Sequence, residues 1–196
     1  MSIILATQSA ARRAILSGAG VPFEAVVAGV DEDAAKAVLL AAGASPKAVA
    51  EALAEQKALA VSGLRGGLVI GADQTLDLDG QLYDKAETLL QARERLERLR
   101  GRTHQLHSAV AVAEGGVVVW RETVSARLTM RNFSDDFLDA YLAEEGSAAL
   151  GSVGCYRLEG RGAQLFSQIE GDYFTILGLP LFGLLDLLRS RGEISA

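Results

Sequence analysis

The chain predicts a mixed α/β fold, a twisted sheet flanked by helices around a central cleft. Strand-like and helical patterns alternate through the first half, and two long strand-like runs meet at Gly115-Gly116 as a hairpin. The third observation is the apolar run Leu68-Val-Ile-Gly-Ala-Asp73, which delivers a carboxylate to a sheet edge, where α/β proteins place ligands. At 196 residues the sequence suits one domain over 1–196.

The elements follow in order. Ile3 to Ala6 reads as a strand, and Thr7-Gln-Ser9 offers hydroxyls to cap a helix on Ala14, Ile15 and Leu16 that ends at Gly18 or Gly20. Arg12 and Arg13 fall in its first turn. Pro22 to Val27 predicts a strand, Val30-Asp-Glu32 a loop, and the alanine-rich stretch beyond it a helix. The next helix has Ser45 as cap, Pro46 at its first position, and an inward stripe of Val49, Leu53, Leu59 and Ala60 that includes Lys57. The strand ending at Asp73 is followed by a hairpin through Asp79-Gly80 that returns Lys85 toward Asp73.

A helix on Leu89, Leu90, Leu96 and Leu99 closes at Gly101, ahead of long strands over Thr103–Ala113 and Val117–Arg131. Ser134 caps a helix on Phe137, Leu138, Tyr141 and Leu142. A glycine-rich stretch from Gly151 to Gly162 leads to a strand over Gln164–Ile169 and a turn at Glu170-Gly-Asp172. Gly178-Leu-Pro180 opens a last helix on Leu181, Leu184, Leu185 and Leu188.

Composition excludes several classes. A net charge of -6 argues against a nucleic-acid binder, which needs a clustered cationic face. No run approaches the roughly 18 apolar residues of a membrane span. The N-terminus lacks the pattern of an export signal, and the single cysteine, Cys155, excludes an internal disulfide; both fit a cytoplasmic protein. Zinc spacing, the GxxxxGK[ST] phosphate loop and the GxSxG elbow are all absent from the sequence.

The remaining chemistry is a set of charges. Arg12 and Arg13 beside free helix N–H groups suit phosphate oxygens, or form a solvated face. An inward Lys57 needs an anion or a path to water. Asp73 could hold a divalent cation, act as a general base, or simply end a strand, while Glu32 reads alone as a surface carboxylate. His104 and His107 are expected on one face of a strand, but they lack a third ligand and read as core or surface residues.

Together these residues resemble the Maf family of nucleoside triphosphate pyrophosphatases, nearly end to end. The resemblance rests on Leu5-Ala-Thr-Gln-Ser-Ala-Ala-Arg-Arg13, Val30-Asp-Glu32, Leu53-Ala-Glu-Gln-Lys57-Ala, Gly71-Ala-Asp73, Lys85, Arg100-Gly-Arg-Thr-His104, Glu159-Gly-Arg-Gly162 and Gly178-Leu-Pro-Leu181, in that order. It implies a Maf or inosine-triphosphatase-like fold, hydrolysis of a nucleoside triphosphate to monophosphate and pyrophosphate, and a divalent cation, Mg2+ or Mn2+. By that resemblance Asp73 is the proton acceptor and, with Glu32, holds the metal; Thr7, Arg13, Lys57 and Lys85 bind the phosphates.

Gln74 and Glu159 match the branch that acts on 7-methyl-GTP, whereas Ala11 stands where that branch carries a tryptophan able to stack on a cationic base. A branch acting on dTTP and UTP is the alternative, as is a non-hydrolysing nucleotide-binding regulator of septum formation. The family commonly forms homodimers. Thr7, Ala10 and Ala86 also depart from its pattern, without removing a charged group.

Overall fold

The computed structural model describes residues 2–195. In chain order the elements are β1 (Ile3–Ala6), α1 (Ala10–Gly18), β2 (Glu24–Val26), α2 (Glu32–Ala41), α3 (Pro46–Ser62), β3 (Leu68–Leu78), β4 (Gln81–Tyr83) and α4 (Leu89–Leu99). They continue with β5 (Thr103–Glu114), β6 (Val117–Met130), α5 (Asp135–Glu145), two 3-10 turns (Gly146–Gly151 and Arg161–Leu165), β7 (Phe166–Glu170), α6 (Tyr173–Ile176) and α7 (Leu181–Ser190).

All seven strands join one sheet in the order β2-β1-β3-β5-β6-β7, with β4 paired to β3 off that path. β1 runs parallel to both neighbours and the other pairings are antiparallel, so the sheet is mixed as the sequence predicts. Side-chain alternation divides β3 between two layers. Leu68, Ile70 and Ala72 join α1 and α7 in one cluster; Leu76 and Leu78 join α4 and α5 in another. Gly71, Asp73, Thr75 and Asp77 lie on the opposite face, where α3 packs.

That second layer is close. A Cβ at Gly71 would lie 2.3 Å from the Ala54 carbonyl oxygen and 2.5 Å from the Ala58 nitrogen. Ala50, Ala54 and Ala58 of α3 meet Ala109, Ala111 and Ala113 of β5. This corrects the expected stripe of α3: Val49, Leu53 and Lys57 are buried, but Leu59 is half-buried and Ala60 exposed, because the small alanines make the contact.

Three other expectations change. β3 does not end at Asp73 but continues to Leu78, because its other edge pairs with β5 without a break from Val69 to Asp77. Glu32 is the first residue of α2, capped by the Asp31 side chain, and not part of a loop. His104 and His107, three apart on β5, occupy opposite faces: the first touches Tyr156 and the second Ser125 and Asp77.

The pairing positions the cleft. β1 covers β3 only as far as Gly71, and β4 resumes on that edge at Leu76. The interval 72–75 faces no strand there, and Asp73 sits in it. The Asp79-Gly80 turn is as predicted, with both residues at positive φ and Asp77 Oδ1 accepting from the Gly80 N–H at 2.6 Å. Among the described residues no helix is long and apolar enough to cross a membrane.

Candidate active site

Asp73 is buried on β3, and Lys57 reaches it from α3. The Lys57 ammonium donates to Asp73 Oδ1 at 2.7 Å and lies 2.9 Å from Glu32 Oε2. Close packing at Gly71 makes this reach possible, because it brings the α3 backbone down onto the sheet just before the lysine. Glu32 is half exposed at the start of α2 and closes the trio from the solvent side. The pair and its neighbour carry charge-assisted contacts that offset the cost of burying an ammonium.

Burial pushes the Asp73 carboxyl above the usual carboxylate range. The charges of Lys57 and Arg12 pull it back, and Glu32 adds to the rise. A carboxyl held between these influences can accept a proton more readily than an exposed aspartate. Its Oδ1 is occupied by Lys57, while Oδ2 has no protein donor among the described residues.

Arg12 is the cation that the sequence alone did not separate from Arg13. Its Nε donates to the Gly178 carbonyl at 2.7 Å; burial lowers its pKa, opposed by Asp73 and Glu32. Arg13, one step around the helix, is exposed. Lys85 is exposed after β4, yet lost hydration and the charges of Arg12 and Lys57 lower its pKa, while Glu32 and Asp73 oppose the fall. Four of the expected residues, Glu32, Lys57, Asp73 and Lys85, thus share one electrostatic site with Arg12. Thr7 is buried in the β1–α1 turn, where its Oγ1 accepts from the Ser9 N–H at 3.1 Å.

No group of three or more His, Cys, Asp or Glu able to hold a metal occurs among the described residues. Glu32 and Asp73 nevertheless bracket a positive charge, the Lys57 ammonium. Two carboxylates supply the hard oxygen donors that suit a divalent cation such as Mg2+ or Mn2+, whose remaining ligands would come from phosphate and water oxygens. The residues present therefore fit such an ion in company with a phosphate ligand.

The three residues expected to set specificity divide. Ala11 and Glu159 line one cavity of about 430 Å³ between α1, α6 and α7, together with Tyr173, Phe174 and Leu177. Gln74 lies on the same face of β3 but its amide nitrogen is engaged elsewhere: it donates to Ser108 Oγ at 2.9 Å and to the Thr175 and Ile176 carbonyls at 3.0 Å each. A Cβ at Gly178 would lie 3.5 Å from the Arg12 guanidinium and 3.7 Å from the Gln74 side chain, and the φ of +98° there favours glycine. The aromatic pair at 173–174 escaped sequence reading; its signal was two adjacent rings just ahead of Gly178-Leu-Pro180.

Residues 2–191 match the model of the family described as Maf-like protein. A nucleoside triphosphate pyrophosphatase from Caulobacter vibrioides is 62% identical over 193 residues, covering 98% of this chain and 97% of the relative. One of the same name from Paramagnetospirillum magneticum is 52% identical over 97% of this chain and 99% of its own length. A 7-methyl-GTP pyrophosphatase from Rhizobium meliloti is 51% identical, covering 99% and 98% of the two chains.

Proposed function

The chain belongs to the Maf family, and from that premise we propose that it is a nucleoside triphosphate pyrophosphatase leaning toward 7-methyl-GTP. The observation that carries the reading is the Asp73 carboxylate at 2.7 Å from a buried Lys57 that also holds Glu32, in the strand-free interval of β3. An ammonium buried against two carboxylates, with Arg12 and Lys85 close by, is the kind of clustered charge that functional sites gather.

In the proposed reaction Asp73 accepts a proton from water as the water oxygen bonds to the α-phosphorus. The bond from that phosphorus to the α–β bridging oxygen breaks and pyrophosphate leaves with the electron pair. Arg12, Arg13, Lys57 and Lys85 offset the negative charge that shifts onto the leaving group. Thr7 offers its hydroxyl to a phosphate oxygen at the start of α1. A divalent cation, held by Glu32 and Asp73, would neutralise phosphate charge and help align the groups.

Preference for 7-methyl-GTP is supported by Glu159, whose carboxylate can accept from a guanine edge, and by the name of the Rhizobium meliloti relative. Ala11 supports the second reading, a dTTP- or UTP-preferring enzyme, because an alanine offers no stacking face. Pyrophosphate release from 7-methyl-GTP, GTP, UTP and dTTP with Mg2+ or Mn2+ tests both, with Asp73→Asn as control. Release that Asp73→Asn abolishes while nucleotide binding persists supports the enzyme. No release by the wild type from any nucleotide overturns it in favour of a binding regulator.

A further inference from the structure

We propose that Tyr173 supplies the stacking face for the substrate base and thereby sets base preference in a cavity that Ala11 leaves without a large ring on its own side. The proposal rests on the pyrophosphatase reading and deepens it. Tyr173 and Ala11 both line the cavity of about 430 Å³, with Glu159 as the carboxylate in its wall. Tyr173 is 48% exposed, so its ring is accessible at the border of a recess lined mainly by apolar residues. Phe174 lines the same cavity but is less exposed than Tyr173, packing edge-on to Tyr173 at 5.8 Å and to Phe182 at 5.5 Å.

The ring is mounted on a fixed turn. Asp172 caps α6 at its start by accepting from the Thr175 N–H at 2.9 Å. At its end the Thr175 and Ile176 carbonyls accept from Gln74, the residue that follows Asp73 on the catalytic strand. Arg12 holds Gly178 just beyond. Two bonded ends on a four-residue helix leave its first side chain little freedom to move with the backbone, so the ordering cost of stacking is small. Gln74 in this arrangement positions the wall and need not touch the base.

An aromatic face beside one carboxylate selects a planar base with N–H donors along one edge. A guanine presents two such donors and a larger face than a pyrimidine, and a positive charge from ring methylation strengthens attraction to the ring face. The order expected is therefore 7-methyl-GTP, GTP, UTP.

The test compares wild type, Tyr173→Phe, Tyr173→Ala and Tyr173→Ala with Ala11→Trp. It measures kcat/KM for the three triphosphates, calorimetric affinity for 7-methyl-GMP and GMP, and inhibition by inorganic tripolyphosphate, which has no base. Tyr173→Ala should lower kcat/KM and affinity for the methylated guanine about tenfold. It should lower UTP turnover less and leave tripolyphosphate inhibition unchanged. Tyr173→Phe should stay within about twofold of wild type and the added tryptophan should recover the loss, as expected for stacking. Equal losses for all three nucleotides and tripolyphosphate, no loss in Tyr173→Ala, or a full loss in Tyr173→Phe would each overturn the proposal. Should the wild type release no pyrophosphate, the pyrophosphatase reading fails, while the monophosphate affinities still decide the role of Tyr173.

Discussion

At the scale of single residues, the site depends on one buried ammonium. Removing it in Lys57→Met leaves Asp73 beside Glu32 with its nearest cation gone, and breaking a buried pair in this way costs about 3–5 kcal/mol. Urea unfolding at neutral pH should show a loss of that order, and adding Asp73→Asn to the same protein should recover much of it, since no unpaired buried charge then remains. A second residue, His104, is buried with Nε2 2.7 Å from the Tyr156 hydroxyl and Nδ1 without a partner. Burial pushes its pKa down to about 4. The unfolded chain, with a histidine near about 6.5, binds the proton more tightly. Stability from His104 is therefore complete above about pH 6.5 and falls by roughly 3 kcal/mol as pH drops toward 4. Unfolding free energies of His104→Phe and wild type across that window should show the shallower slope in the variant.

At the scale of elements, the contact of α3 with β3 links packing to chemistry. Gly71→Ala would drive a methyl into the backbone at Ala54 and Ala58, neither of which can rotate away as a side chain would. We expect a stability loss of about 1–3 kcal/mol, as for other overpacked cores, read from the thermal midpoint. Because Lys57 lies only three residues beyond Ala54, displacement of α3 should also lower kcat, by about a hundredfold for a shift near 1 Å. A folded Gly71→Ala protein with normal kcat would show that the two elements are not coupled as described. The same scale explains why the sequence expected β3 to stop at Asp73. A charged residue after an apolar run resembles a strand end, but the ladder with β5 continues regardless of which side chain the register carries.

For the whole molecule, the cleft opens between the end of β1 and the start of β4, and it gathers residues from α1, α2, α3, β3 and the segment after β4. A ligand that bridges so many elements must stabilise the folded state over the unfolded one. Nucleotide with Mg2+ at about 100 times its Kd adds about 2.7 kcal/mol and should raise Tm by roughly 5–10 °C. Nucleotide alone should give a smaller shift if Glu32 and Asp73 hold the ion; equal shifts with and without Mg2+ would remove the metal from the site.

Local rules were enough to read the Ser45-Pro46 start of α3, the Asp79-Gly80 and Gly115-Gly116 turns and the inward Lys57, because caps, turns and helix stripes are settled by neighbours in the chain, whereas the grouping of Glu32, Asp73 and Lys85 with it came from the family resemblance. The amino-acid sequence by itself determined most element types, the mixed sheet and the family resemblance. Tertiary structure decided which cation faces the acids: Arg12 and Arg13 differ by only one step, about 100° around α1, and the docking of that helix selects between them. It likewise decided that Glu32 meets Lys57 from a helix start and that Tyr173 shares a cavity with Ala11. Those relations join residues from 25 to 162 positions apart, and nothing in local propensity reports distances across a fold.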